Sequence, residues 1–253
     1  LAGAVTGISS VQISGQPGAE DPDIYVRGTG SLSNEASKPL ILVDGVERSF
    51  FQMDSHEIES VTVLKDASST AVFGVRGANG VILVTTRRGT KGKPQISWNS
   101  TFGLTQSLRH LTGVDSYTYA TLYSEAQRSD NPGIKDDQLT FSPFVTEMFR
   151  TKADPIMFPD VDWSKYIFKN VAWQTQHNAT LSGGGDRIRY FVSLGYLDQD
   201  GMMKRFDESY DPNYNYQRFN YRSNIDIDLT GTTLLKFNVG GRTGTRREPV
   251  TDA

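Results

Sequence analysis

The sequence predicts a compact α+β domain over residues 1–89, followed by an antiparallel sheet of long strands. Three observations carry that expectation. Ile58–Gly89 (IESVTVLKDASSTAVFGVRGANGVILVTTRRG) reads as strand, short helix, glycine-rich loop and strand. Five later segments alternate apolar and polar residues at the period of a pleated strand. The links between those segments are short and long by turns.

In the first domain, Asp23–Arg27 is a short alternating strand closed by Gly28-Thr29-Gly30, and 31–38 is a polar loop. Pro39–Val43 is an apolar strand, and the Asp44-Gly45 pair after it has the left-handed tolerance that a two-residue hairpin turn requires. Asp54 with Glu57 has the spacing of a capping box ahead of the next strand, Ile58–Lys65. Asp66 is placed to cap a helix over Ala67–Phe73, which Gly74 stops. Val81–Val84 is continuously apolar, as a strand covered on both faces would be. The loop at 75–80 lacks a phosphate-loop lysine and dinucleotide spacing, so phosphate binding is not expected there.

Beyond Lys91-Gly92-Lys93-Pro94 the period of two takes over. Ile96, Trp98, Phe102 and Leu104 share one face of Gln95–Gln106. Gln174, Gln176, Asn178, Thr180 and Ser182 form the polar face of Trp173–Ser182. Ile188, Tyr190, Val192, Leu194 and Tyr196 line one side of the next segment. In Gln217–Leu229, Phe219, Tyr221, Ile225 and Ile227 oppose Arg218, Asn220, Arg222, Asn224, Asp226 and Asp228. Leu235, Phe237 and Val239 mark the last. A segment of about 10 residues is long enough to cross a bilayer as a tilted strand. The links at 183–186 and 230–233 are turn-like, whereas those at 107–172 and 198–216 are long. Outer-membrane barrels alternate short periplasmic turns with long extracellular loops in the same way. Alternation alone also fits a water-soluble sheet with one wet face. Aromatic residues near segment ends (Trp98, Trp173, Tyr190, Tyr196, Phe219, Tyr221) fit an interfacial girdle. Within 107–172, Tyr119, Leu122, Tyr123 and Ala126 have helical spacing, with a second short helix around Phe144–Phe149, and these apolar residues are expected to pack the loop.

Composition narrows the function classes. The 253 residues carry 26 Lys and Arg against 29 Asp and Glu, a net charge of −3 with no basic stripe, so a nucleic-acid partner is not expected. No cysteine is present, and His56, His110 and His177 are dispersed, so neither disulfide, metal site nor cofactor is expected. No apolar run reaches the roughly 18 residues of a membrane helix. Asp44, Asp66, Asp160 and Asp162 are explained as turn, cap or loop residues, and no paired acid and base appears, so an enzyme is not expected. The first residue is Leu1, which suggests a chain that begins after processing or inside a longer protein.

The segment VLKDASSTAVFGVRGANGVILVTTRRG resembles the plug signature of SusC/RagA-type TonB-dependent outer-membrane transporters. SGQPG at 14–18, YVRG at 25–28 and PLILVDGVE at 39–47 resemble successive plug segments in the same order. The resemblance covers 1–89 directly and 90–245 more loosely. It implies a plug domain at 1–89 and, at 90–253, the first five or so strands of a barrel of about 22 strands. Five strands cannot close, since the smallest such barrels have about eight, so the chain is expected to be a fragment, with the TonB box upstream of it.

The function so implied is TonB-dependent uptake of oligosaccharides, glycans or peptides across the bacterial outer membrane. The partners implied are the TonB–ExbB–ExbD complex, a SusD-like surface lipoprotein, the substrate and outer-membrane lipids. Arg27 and Arg76 are candidates to anchor the plug to wall carboxylates, for which Asp226 and Asp228 are available. Tyr210, Tyr214 and Tyr216, in YDPNYNY, are candidates to stack a ligand. The competing reading is a soluble β-rich extracellular module that binds carbohydrate or mediates adhesion.

Overall fold

The computed structural model describes residues 8–19, 21–26, 28, 37–108, 113–206 and 211–249. Arg27 and Tyr210 fall outside these, so two of the candidate site residues have no structural account. The chain divides into two compact units, one holding the N-terminal domain and the long strands, the other formed by 106–171 and 202–212.

Among its described residues the N-terminal domain holds six strands where four were expected. β1 (Ile8–Val11) and β2 (Asp23–Val26) pair antiparallel, with Ile8 opposite Val26 and Val11 opposite Asp23. β1 has no sequence signal beyond four residues, which is why it escapes a pattern search. A second sheet has the order β4-β3-β6-β5, from β3 (Leu40–Val43), β4 (Val46–Glu47), β5 (Ile58–Leu64) and β6 (Val81–Thr86). β6 lies inside it, parallel to β3 and antiparallel to β5, and its Val81, Ile82 and Val84 are fully buried. Their continuous apolar run follows from that position. Ile24, Val43, Phe50, Ile82 and Val84 form the core, with Ile8, Met53, Val61 and Val63 packed against it. The β3–β4 turn has Asp44 at φ 50° and Gly45 at φ 86°, as the Asp-Gly pair predicts. Asp44 also accepts hydrogen bonds from the Thr86 amide at 3.0 Å and the Thr86 hydroxyl at 2.6 Å, tying the turn to β6.

Two capping expectations need correction. α1 spans only Ala67–Thr70 and continues as a tight turn over Ala71–Gly77, kinked at Gly74 (φ 59°, ψ −145°). The Asp66 side chain makes no cap hydrogen bond; its carbonyl accepts from the Ser69 and Thr70 amides instead. Asp54 does cap the single turn Ser55–Glu57 through the His56 amide at 2.8 Å. Glu57 does not close a capping box, because its carboxylate is drawn to an arginine far along the chain.

The five long strands are β7 (Gly92–Thr105), β8 (Ala172–Gly184), β9 (Ile188–Asp200), β10 (Asn215–Asp228) and β11 (Leu234–Arg247), an antiparallel meander in the order β11-β10-β9-β8-β7. β9 runs on to Asp200 and β10 starts at Asn215, so the second long link is shorter than 198–216. β11 continues well beyond Val239, through Gly240 and Gly241, to Arg247. Both glycines have a structural reason. A Cβ on Gly240 would come within 3.1 Å of the Arg222 guanidinium, and one on Gly241 within 2.5 Å of the Tyr221 hydroxyl, each belonging to its cross-strand partner.

Burial in this sheet is inverted relative to a water-soluble one. Ser193 is 0% exposed and its neighbour Leu194 47%. Asn178, Asn220, Arg222, Asn224 and Asp226 are buried, while Trp173, Tyr196, Phe219 and Tyr221 are open. The polar face covers the N-terminal domain and the apolar face is left outside, an arrangement that lipid rewards and water penalises. Leu194→Arg should therefore cost roughly 2–4 kcal/mol at mid-bilayer. Denaturant titration of the full-length protein folded into vesicles measures it; a water-facing position would show no cost.

The second unit holds α2 (Ser116–Asp130), α3 (Pro143–Thr151) and α4 (Trp163–Ile167), the last not expected from the sequence. α2 packs by its small residues, Ala120 and Ser124, whose hydroxyl donates to the Phe141 carbonyl at 3.0 Å. Tyr119, Leu122, Tyr123 and Ala126 are exposed, contrary to the expected packing face. Close approach of the 139–141 segment favours small side chains over the apolar stripe. Tyr119 and Tyr123 still meet Phe141 edge to face, at centroid distances of 5.9 and 5.7 Å.

Candidate functional site, the interface between the N-terminal domain and the strand wall

The site is built from the segment 44–57 and the end of β6 on one side, and the polar faces of β8 and β10 on the other. Period-two alternation sends Asn220, Arg222, Asn224 and Asp226 of β10 inward together. Asn220 donates to the Gln52 carbonyl at 2.8 Å. Arg222 Nε donates to Glu57 Oε2 at 2.8 Å, with Asp44 Oδ2 at 3.9 Å from Nη1. Asn224 donates to both the Thr86 hydroxyl (2.8 Å) and the Arg87 carbonyl (2.7 Å). Asp226 pairs with Arg88 at 2.6 Å. One strand thus holds four successive points of the domain.

The Arg222–Glu57 pair is the electrostatic centre, with the two side chains 4% and 2% exposed. Burial pushes the Glu57 carboxyl up, and that outweighs the hydrogen bond and charge of Arg222 that pull it down. Glu57 Oε1 is buried without a hydrogen-bond partner among the described residues, which adds to the cost of holding the charge. The short Gly240 leaves room for the guanidinium over β11.

A second cluster sits on β8. Asp54 accepts from the His56 amide and lies 2.9 Å from its ring Nδ1, and accepts from Gln176 Nε2 at 3.1 Å. Burial alone would raise the Asp54 carboxyl, but these hydrogen bonds and the His56 charge together hold it below its ordinary value. A depressed carboxyl contributes stability that is present above its ordinary pKa and lost as pH falls through the lowered one. The amide protection factor at His56 should accordingly fall on acidification below about pH 4, while Asp54→Asn should show weak protection at every pH. Hydrogen exchange followed by mass spectrometry over a pH series checks both.

The candidate anchors fare unequally. Arg76 forms an ion pair with Glu47, another residue of its own domain, and its side chain is largely exposed. The plug-side cation that meets Asp226 is Arg88, and Asp228 pairs with Arg189 inside the wall at 3.1 Å. Tyr216 is not a loop residue: it belongs to β10, is 7% exposed, and its ring packs on Gly18. Its hydroxyl donates to Gln52 Oε1 at 3.3 Å, so it has no face free for stacking. Tyr214 is half-buried just before β10. Sequence reasoning missed Glu57, Arg222 and Asn224. The available signal was an arginine between two asparagines on the polar face of a strand, which demands a buried counter-charge. No cluster of His, Cys, Asp and Glu suited to a metal occurs among the described residues.

Comparison with known proteins agrees with this geometry. The TonB-dependent Receptor Plug Domain family matches residues 1–81. The chain is 30% identical to the TonB-dependent receptor SusC of Bacteroides thetaiotaomicron over 253 residues, covering 96% of the chain and 22% of that protein. It is 34% identical to TonB-dependent receptor P3 of Formosa agariphila over 229 residues, covering 90% of the chain and 19% of that protein. The chain therefore spans about a fifth of the length of these relatives. Among solved structures, the RagAB peptide transporter superposes with a TM-score of 0.75 at 27% identity, over 97% of the chain and 28% of that chain.

Proposed function

The chain is the plug domain and first barrel strands of a TonB-dependent outer-membrane receptor related to SusC and RagA, and from that premise we propose that the whole protein imports glycans, its plug gating the lumen. The observation that carries this is the inverted burial, with an apolar band outside and a polar, ion-paired face closed over the plug. A lumen wall has to release the plug into water, and hydrogen bonds to amides and hydroxyls can be exchanged for water at little net cost. An apolar seam of equal area could not be, because it would re-expose its surface at about 25 cal/mol per Å2. The TonB–ExbB–ExbD complex supplies the pull, and a SusD-like lipoprotein covers the extracellular mouth. The water-soluble reading places the apolar face of the sheet inside, which is opposite to the observed burial.

Cells of a tonB-null strain and its parent, each expressing the full-length protein, test the proposal. Labelled oligosaccharide should accumulate only in the parent, and equal accumulation in both would rule out energised import.

A further inference from the structure

We infer that the cavity between Gly18, Asp21, Pro22, Phe51 and Gln52 of the plug and the inner faces of β8, β9 and β10 is a binding subsite for one sugar ring of the substrate, a reading that rests on the proposed import. The cavity has a volume of about 250 Å3 and its wall comes from three strands that are interior to the sheet. Sites for drug-sized ligands run from roughly 300 to 1,000 Å3, so this one suits a single ring rather than a chain. It lies at the end of the strands from which the long links leave, the extracellular end of a barrel.

Four glutamine amides and one cation share its lining with Asp21, Tyr216 and the apolar Pro22, Phe51 and Leu197. Gln174, Gln176 and Gln199 come from the wall and Gln52 from the plug, joined by Arg218. The amides are oriented by each other and by fixed neighbours. Gln199 Nε2 donates to Gln174 Oε1 at 3.3 Å, Gln176 Nε2 to Asp54 at 3.1 Å, and Gln52 Nε2 to Asp21 at 2.9 Å. This leaves Gln174 Nε2 and Gln176 Oε1, a donor and an acceptor, without a partner among the described residues. Arg218 Nε is buried and also lacks one, so an acceptor belongs in this space. A hydroxyl group donates and accepts at once, so vicinal hydroxyls satisfy an amide donor, an amide acceptor and a guanidinium together.

A peptide is the poorer fit. Interior strands have both edges paired and cannot take an added strand, so a peptide would find no backbone ladder to join here.

The test uses the full-length protein in detergent, probed on an array of neutral and acidic oligosaccharides and on a library of short peptides. Binding to a class of oligosaccharide is expected, weakened about tenfold or more by Gln174→Ala and by Arg218→Gln. Gln217→Ala, on the outer face of the same strand, should bind as wild type, and all three variants should keep the wild-type melting temperature. Glycan binding undiminished in both cavity variants would overturn the subsite while leaving glycan import standing. Binding to peptides but not glycans, or to neither, would overturn the subsite, and the tonB comparison reports on import separately.

Discussion

Arg222→Met is expected to unseat the plug, because it removes the ion-pair partner of Glu57 and leaves a carboxylate that is only 2% exposed. Removing one member of a buried pair costs on the order of 3–5 kcal/mol, most of it the desolvation of the survivor. In the full-length protein the loss should appear as entry of a bulky antibiotic that the intact plug excludes. It should also appear as faster amide exchange over residues 54–57. Adding Glu57→Gln should recover most of the loss by removing the orphaned charge, which a general unfolding defect would not allow. Glu57 already has its carboxyl pushed above the ordinary 4.5 by burial. A raised carboxyl contributes stability below its ordinary pKa that is lost as pH rises through the raised one. The single variant should therefore be tightest in acid and loosen as pH rises, whereas the double variant should show no such trend.

Gly89→Val should be more damaging still, and for a steric reason. Gly89 is buried where the chain leaves the plug for the wall, and a Cβ built there lies 2.3 Å from the Tyr190 nitrogen and 2.4 Å from its oxygen. Those are backbone atoms in the β8–β9–β10 ladder and have no rotamer by which to yield. Overpacking commonly costs about 1–3 kcal/mol when side chains can adjust, and here the ladder itself has to move. The expected outcome is little folded protein in the outer membrane, read by heat-modifiable mobility on a gel. Gly113→Val, where a Cβ would meet nothing within 4 Å, should assemble as wild type.

Much of the architecture is legible from local pattern, since alternation reports which face of a strand each residue joins. The long strands follow from alternation, the buried β6 from its continuous apolar run, and the hairpin turn from its Asp-Gly pair. The working contacts do not, because they join residues far apart: Glu57 to Arg222, Thr86 to Asn224, Arg88 to Asp226. Glu57 shows how the failure arises. Three residues after Asp54, it fits a capping box, and only the wall strand that faces it draws the carboxylate away. Arg76, by contrast, has a partner close at hand, Glu47 on the neighbouring hairpin. The role of Gly240 and Gly241 is equally non-local, since it lies in the cross-strand side chains of Arg222 and Tyr221 above them.

The pairing of β1 with β2 has a mechanical meaning. Ile8, the first residue of β1, faces Val26, the last of β2, so the chain enters and leaves this ladder at the same end. Tension applied ahead of Ile8, and resisted by the sheet that follows β2, would load that end alone. Its four registered pairs would then part in succession, like a zip, rather than all at once under shear. A modest, sustained force is enough to work through such a ladder, while β3–β6, clamped to the wall through Thr86, stays assembled.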